Sequence, residues 1–477
     1  MKIALINPSW LFRNNADVVL SQNLGLGYLA SYLRQHGHQI QIIDSLAEGF
    51  KQRGKMPNGS LRVGLLDCQV VDLLSNRLDL IGITIPFSHM YEVAESLCCA
   101  IKEGYQDIPV VMGGVHPSTC PQDYMTSKAD YWLVGEGEIA MRQLADGLEP
   151  DQIEGLLSAS KPQLLPGEKT QQIMDLDLIP EPARDLLPMD LYKNLSPRRI
   201  SHKPTASIFT SRGCPWDCQF CSVHPINGYK WRMSSAAKVL QEIRHLVKDY
   251  GIRQLEFEDD NLTVNYDRAM EIFDGIYQLR KQLGIELTWG TPNGVRADNG
   301  IDRAMLEMMK KSGCVRLTFA LEHGDQEIRK IMDKHLNMDK FEQALRDAID
   351  MGIYTEVFTM VGYPGETAER FENGRAYYRK LADWGVNLIH FFYPQPYPGT
   401  KLYSFCKEKG YLVSDNYSLL PEIKIETEDF DTREVLRRRE VLLCEHDPAY
   451  KIRQKAKAIL PDRLISFINR LLPRKQM

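Results

Sequence analysis

Three cysteines, Cys214, Cys218 and Cys221, stand at spacing C-x3-C-x2-C within SRGCPWDCQFCSVHPINGYKWR, residues 211–232. Three thiolates are one short of a closed tetrahedral metal site, and the next candidate ligand is His224. A Cys3His set would satisfy zinc, but structural zinc ligands usually come as two short pairs separated by a longer loop. On an iron–sulfur cubane the same three thiolates leave one iron open. An open iron can chelate the amino and carboxylate groups of a small molecule and pass it an electron. The cysteines fall within eight residues, directly after the apolar run TASIFT and the turn SRG. Ligand count and position together favour the cluster, with His224 as a supporting or surface residue.

The elements that must hold this loop are legible around it. From residue 205 the runs TASIFTSRG, IRQLEFEDDN, ELTWGTPNG, VRLTFALEHG, YTEVFTMVGYPGE and LIHFFYPQPYPGT alternate with helical stretches. These are six βα units, fewer than a closed (β/α) barrel needs. Carboxylates and glycines collect at the strand ends, where barrel sites lie. Ahead of them, KIALINP, QIQIIDS, LDLIGITIP, IPVVMGG and DYWLVGEGE read as unalternating strands separated by helices, the mark of a parallel sheet covered on both faces. Their loops NPSW, TIPFSH, GGVHPS and GEGE all fall at strand C-terminal ends, where open α/β sheets bind ligands. Residues 146–200 carry seven prolines and read as a linker wrapping the surface. Residues 406–477 read as helical and basic, with 12 Lys/Arg against 6 Asp/Glu from 431 onward. There LISFINRLL carries an apolar stripe at 464, 465, 467, 468, 471 and 472, suited to docking on the barrel or lying on an anionic membrane surface.

Composition sets outer bounds. At 477 residues, 43% hydrophobic, 25% charged and net charge -5, this is the balance of an ordinary soluble multidomain chain, with nothing that demands nucleic acid. MKIALINPSW begins at once as a strand and lacks the parts of a signal peptide. No apolar run reaches the roughly 18 residues of a spanning helix. The expected location is the cytoplasm, where the ten cysteines would serve as ligands or buried thiols rather than disulfides.

C-x3-C-x2-C with Phe220 just before the last cysteine resembles the signature of the radical S-adenosylmethionine enzymes, which implies Phe220 as an S-adenosylmethionine contact. Further motifs follow in that family's order. FEDDN (257–261) stands at the second strand end, where the family holds the methionyl amino group, which implies Glu258, Asp259 and Asp260 as S-adenosylmethionine contacts. ALEHG resembles the fourth-strand motif whose glutamate, here Glu322, faces the ribose or methionine moiety. VGYPGET (361–367) resembles the glycine-rich motif near the adenine, implying Gly362 and Pro364, and YPQPYPGTKLY is similar to a sixth-strand ending. Taken singly, FEDDN has the lesser reading of a solvated acidic turn, Glu322 that of an ion-pair partner of Arg316 or a nearby lysine, and GYPGE that of a type II turn.

The first region opens no helix with G-x-G-x-x-G and contains no G-x-x-x-x-G-K-[ST], so the phosphate-binding fingerprints are missing. It resembles instead the cobalamin-binding domain that precedes many radical S-adenosylmethionine barrels. That resemblance implies Ser88, Gly113, Gly114, His116, Pro117, Gly135, Glu136 and Gly137 as cobalamin contacts. The D-x-H-x-x-G motif that supplies a cobalt-ligating histidine elsewhere is absent. The expected fold class is α/β, in four parts. A Rossmann-like cobalamin-binding domain (1–145) and a Pro-rich linker (146–200) precede a partial (β/α)6 TIM-type radical S-adenosylmethionine barrel (201–405) and a small helical C-terminal region (406–477).

The resemblance implies three cofactors: a 4Fe-4S cluster on the cysteines, S-adenosylmethionine and cobalamin. The implied reaction is methylation of an unactivated carbon through a 5′-deoxyadenosyl radical and methylcobalamin. Radical cyclisation or rearrangement is the alternative within the group, and a non-catalytic iron–sulfur or cobalamin redox sensor the alternative outside it. The implied partners are a small molecule, lipid-like or a natural-product intermediate, and an external electron donor of flavodoxin or ferredoxin type.

Overall fold

The structure is a computed structural model that describes residues 1–165, 167–195, 204–414 and 423–452. Its N-terminal sheet comprises β1 (Lys2–Asn7), β2 (Gln39–Asp44), β3 (Leu80–Thr84), β4 (Val110–Gly113), β5 (Tyr131–Leu133) and β6 (Leu156–Leu157). The spatial order is β2-β1-β3-β4-β5-β6, parallel except for β6. Apolar residues run without alternation along β1 because both faces are covered. Ile3 and Leu5 meet helices α1 (Leu24–Gln35) and α3 (Glu138–Ala145) through Leu26, Leu33, Ala140 and Met141. Ala4 and Ile6 turn the other way, into the layer of Val93, Leu97 and Ile101 on α2 (Tyr91–Gly104). Chain order reverses between β1 and β3, which opens a crevice above their C-terminal ends.

The proline-rich stretch does more than connect. Residues 156–157 give the first sheet its antiparallel edge strand. Ile173, Leu176 and Ile179 pack on Leu24, Tyr28 and Tyr32 of α1. The last residues of the expected linker, 196–200, lie outside the described residues.

The second sheet is β7 (Thr205–Ile208), β8 (Gln254–Phe257), β9 (Thr288–Val295), β10 (Cys314–Glu322), β11 (Tyr354–Met360) and β12 (Leu388–Phe392), parallel and in chain order. The intervening helices α4 (Ala236–Asp249), α5 (Tyr266–Leu283), α6 (Arg303–Ser312), α7 (Met338–Asp350) and α8 (Ala368–Asp383) start where Ser235, Asn265, Asp302, Asn337 and Thr367 cap free amides. Strand residues facing the helices are apolar: Ile208, Leu255, Phe257, Leu317, Phe319, Val357 and Phe391. Alternate residues face the lumen and mix charged side chains with the aromatic Phe358 and Phe392. There Arg316 donates to Glu256 at 2.6 Å, and His390 meets Glu356 at 3.1 Å.

A barrel of six strands leaves an edge. Helix α9 (Lys401–Lys409) follows β12, and α10 (Thr432–His446) covers that edge, where Arg439 Nε donates to the Phe391 carbonyl at 2.8 Å. Val435, Leu442 and Leu443 are buried, and Arg438 reaches the Glu366 carbonyl at 2.6 Å. The amphipathic stretch at 464–472 lies outside the described residues. Among the described residues, no helix is long and apolar enough to cross a membrane.

Candidate active site between the two domains

The cysteine loop is closed by a short antiparallel pair, Ser211–Arg212 with Arg232–Met233. Gly213 starts it at φ 87°, where a Cβ would stand 2.4 Å from the Lys230 carbonyl, so the turn requires glycine. The far side is pinned by backbone bonds, Gln219 to Met332 at 3.0 Å and Leu402 to Gln219 at 2.9 Å. Phe220 packs in the apolar cluster of Met332, Tyr363 and Leu402, anchoring the loop. His224 turns its Nε2 to the Cys214 carbonyl at 3.1 Å and stacks on Tyr229 at 4.1 Å. Its ring is thereby committed to shaping the loop.

Tetrahedral zinc would draw thiolate sulfurs to about 3.8 Å from one another. Among the described residues, the group with three ligand atoms inside 4.8 Å is His116, Cys120 and Asp123, not the cysteine triplet. Three thiolates on one loop suit a cubane, which takes three protein ligands and leaves one iron open. Burial pushes the Cys221 thiol up to about 12 and raises Cys214 and Cys218 as well. Binding to iron is what makes them thiolates. Lys334 and Arg296 sit where their charges favour the thiolate of Cys218.

The three acidic residues after β8 divide their roles. Asp259 is buried and accepts from Thr210 N at 2.7 Å, Thr210 Oγ1 at 2.5 Å and Ser211 Oγ at 2.7 Å. Both its oxygens hold the turn leading into the cysteine loop. Asp260 accepts from Gly213 N at 3.2 Å and borders the interdomain cleft, where burial and the neighbouring Asp259 raise its carboxyl to about 6. Glu258 accepts from Ser207 Oγ at 3.1 Å on the lumen side. Glu322 ends β10 at φ 70°, a left-handed conformation for a residue with a side chain, and pairs with buried Lys334 at 2.9 Å rather than with Arg316. Gly362 (φ 82°) lets Val435 of α10 come close, since a Cβ there would stand 2.7 Å from Val435 Cγ1, and Pro364 is buried in the same turn.

Across the gap lies an apolar cleft of about 370 Å³. Leu5, Leu26, Leu29, Leu133 and Met141 line its first-domain wall, together with Gly113, Gly114, Gly135, Glu136 and Gly137. Phe209, Ser211, Arg212, Asn227 and Asp260 line the barrel wall. Bare glycine backbone and aliphatic walls suit a large flat ligand. Ser118 Oγ ties the two glycine loops, donating to Gly114 O at 2.7 Å and accepting from Gly135 N at 2.9 Å.

Three expected contacts lie off this cleft. His116 is buried beneath it, stacked on Tyr91 at 4.8 Å with Nε2 3.4 Å from Asp123, and Pro117 is buried beside it. Ser88 borders a separate small cavity with His89, Tyr397 and Lys424. Arg212, Arg232, Tyr28 and Lys334 went unremarked in the sequence. Their one available signal was that Arg212 and Arg232 bracket the cysteine loop.

The fold and site define a class: a radical enzyme whose cluster loop faces a second cofactor domain across one cleft. The Radical SAM superfamily model matches residues 208–378, and the B12 binding domain model residues 18–145. An uncharacterised methyltransferase of Pyrococcus horikoshii is 31% identical over 401 residues, 83% of this chain and 80% of that one. Cytidylyl-2-hydroxyethylphosphonate methyltransferase of Streptomyces wedmorensis is 28% identical over 452 residues, 86% and 82% of the two chains. Among solved structures, the radical S-adenosylmethionine methyltransferase TsrM from Kitasatospora setae, with cobalamin and a [4Fe-4S] cluster bound, superposes with TM-score 0.66 at 17% identity, covering 89% of this chain and 82% of that one. The chain belongs to the cobalamin-binding radical S-adenosylmethionine enzymes. Its cofactors are a 4Fe-4S cluster, S-adenosylmethionine and cobalamin.

Proposed function

We propose that the protein methylates a carbon of a small-molecule substrate. One observation carries this reading: the glycine loops of the first domain line the same apolar cleft as Ser211, Arg212 and Asn227 of the cysteine loop. When bound, the cluster and S-adenosylmethionine supply a 5′-deoxyadenosyl radical for hydrogen abstraction, and methylcobalamin supplies the methyl group. The chain's own work is binding, orientation and exclusion of water.

In this reading Cys214, Cys218 and Cys221 hold the cluster and leave one iron for S-adenosylmethionine. Glu258, Asp260 and the Glu322–Lys334 pair supply polar contacts for that molecule at the strand ends. Gly113, Gly114, Gly135 and Gly137 let the cobalamin ring lie against backbone, and the aliphatic wall keeps water from it. The lumen joins the paired polar groups Arg316–Glu256 and His390–Glu356 to the rings of Phe358 and Phe392, a lining that supports a substrate with both polar and apolar parts. The electron enters from an external donor of flavodoxin or ferredoxin type.

The test is anaerobic reconstitution with iron and sulfide, then incubation with dithionite and S-adenosylmethionine. Formation of 5′-deoxyadenosine is expected. Zinc in place of iron, with no 5′-deoxyadenosine, would remove the enzyme reading.

A further inference from the structure

Glu136 sits in the GEGE loop of the first domain, 7% exposed, yet its carboxylate turns toward the barrel. Arg212 Nη1 donates to its Oε2 at 3.1 Å, Arg232 Nη1 donates to the same oxygen at 3.0 Å, and Arg232 Nη2 bonds Oε1. These two arginines are the posts of the cysteine loop, since Ser211–Arg212 pairs antiparallel with Arg232–Met233 and the loop runs between them. A second carboxylate, Glu138, takes Arg212 Nη2 at 2.7 Å. The linker joins the same knot: Thr170 Oγ1 donates to Glu136 O at 2.5 Å, and Arg232 Nη1 also reaches Ile173 O at 2.9 Å. Desolvated, forked arginine–carboxylate pairs fix geometry more sharply than apolar packing does.

We infer that Glu136 is a positioning residue that sets the separation of the two cofactors, by clamping both posts of the cluster loop to the cobalamin-side glycine loop. It acts through the arginines, whereas the glycines beside it present backbone to the cleft. This rests on the reading that the cleft holds cobalamin. Gly213 alone separates Arg212 from Cys214, so slack at the clamp passes directly to the cluster.

The experiment uses the full chain, loaded with cluster and hydroxocobalamin and reduced so that cluster and cob(II)alamin are both paramagnetic. The reduced cluster should speed relaxation of the cob(II)alamin EPR signal by an amount set by their separation. In Glu136→Gln, cobalamin and iron content should stay within about twofold of wild type. The relaxation enhancement should fall by roughly twofold or more and broaden, while Glu136→Asp recovers part of it. Arg212→Lys, which keeps the charge but loses the fork, should show the same change in milder form. An unchanged enhancement in both Glu136→Gln and Arg212→Lys would overturn the inference. So would loss of bound cobalamin from Glu136→Gln alone, which would make Glu136 a cobalamin contact. If wild-type protein retains no cobalamin at all, it is the cofactor reading of the cleft that fails.

Discussion

At the residue scale, Asp259 shows how little the type of a side chain says about its direction. It lies between Glu258 and Asp260 in FEDDN, yet its oxygens bond back to Thr210 and Ser211 and lie near the Arg268 guanidinium. Asp259→Ala takes from that buried arginine the stronger of its two carboxylate neighbours, Asp177 being the other, and leaves three donors unmade. It should cost about 3 kcal/mol in denaturant unfolding, with Asp259→Asn losing less. Equal stability of wild type and Asp259→Ala would show that the turn is held by other contacts. The neighbouring Asp260 faces the cleft instead, and parity along the strand predicted neither assignment, because both residues lie past its end. The cysteine triplet was legible because its spacing is local. The partner of Glu322 was not, because Lys334 stands twelve residues on, after a turn whose path depends on the fold.

At the element scale, the six βα units were readable from apolar runs of strand length closed by Gly, Asp or Asn. The strand inside the proline-rich stretch was not, since two residues of edge pairing at 156–157 leave no periodicity to detect. The GYPGE turn looked like cofactor-binding backbone, and the structure shows a second use. Gly362 N donates to Glu366 Oε2 at 2.6 Å, Glu366 meets His323 at 3.0 Å and Arg438 of α10, and Val435 fills the space a Cβ would need. Gly362→Ala should therefore cost about 1–3 kcal/mol through the left-handed backbone and the clash with α10. Thermal melting checks this, and combining it with Val435→Ala should recover the steric share but not the backbone share.

At the scale of the whole molecule, the first domain and the barrel meet at one cleft, the linker ties them beside it through Thr170 and Ile173, and the C-terminal helix closes the far edge of the barrel, all through contacts distant in sequence, which is why composition revealed none of them. His89 of the first domain and Lys424 of the C-terminal region border a shared small cavity. Burial, then the Lys424 charge, lowers His89 from its ordinary 6.5 to about 4. A histidine kept neutral in the fold contributes stability above pH 6.5, lost as pH falls toward 4, because the unfolded chain takes up the proton first. Between pH 7 and pH 5 the protein should lose about 2 kcal/mol from this group, and His89→Gln should flatten that part of the profile. Identical slopes for the two proteins would remove His89 as the cause.

The central claim, that this cleft joins a radical centre to a methyl donor, is met most directly by isotope tracing. Reconstituted protein with cobalamin, reductant and S-adenosylmethionine carrying a trideuterated methyl group would be given extract from a strain lacking the gene. The expected products are 5′-deoxyadenosine and a metabolite that gains the labelled methyl group and is absent from the untreated extract. Formation of 5′-deoxyadenosine with a changed metabolite that carries no label would contradict methyl transfer and assign the chain to radical cyclisation or rearrangement.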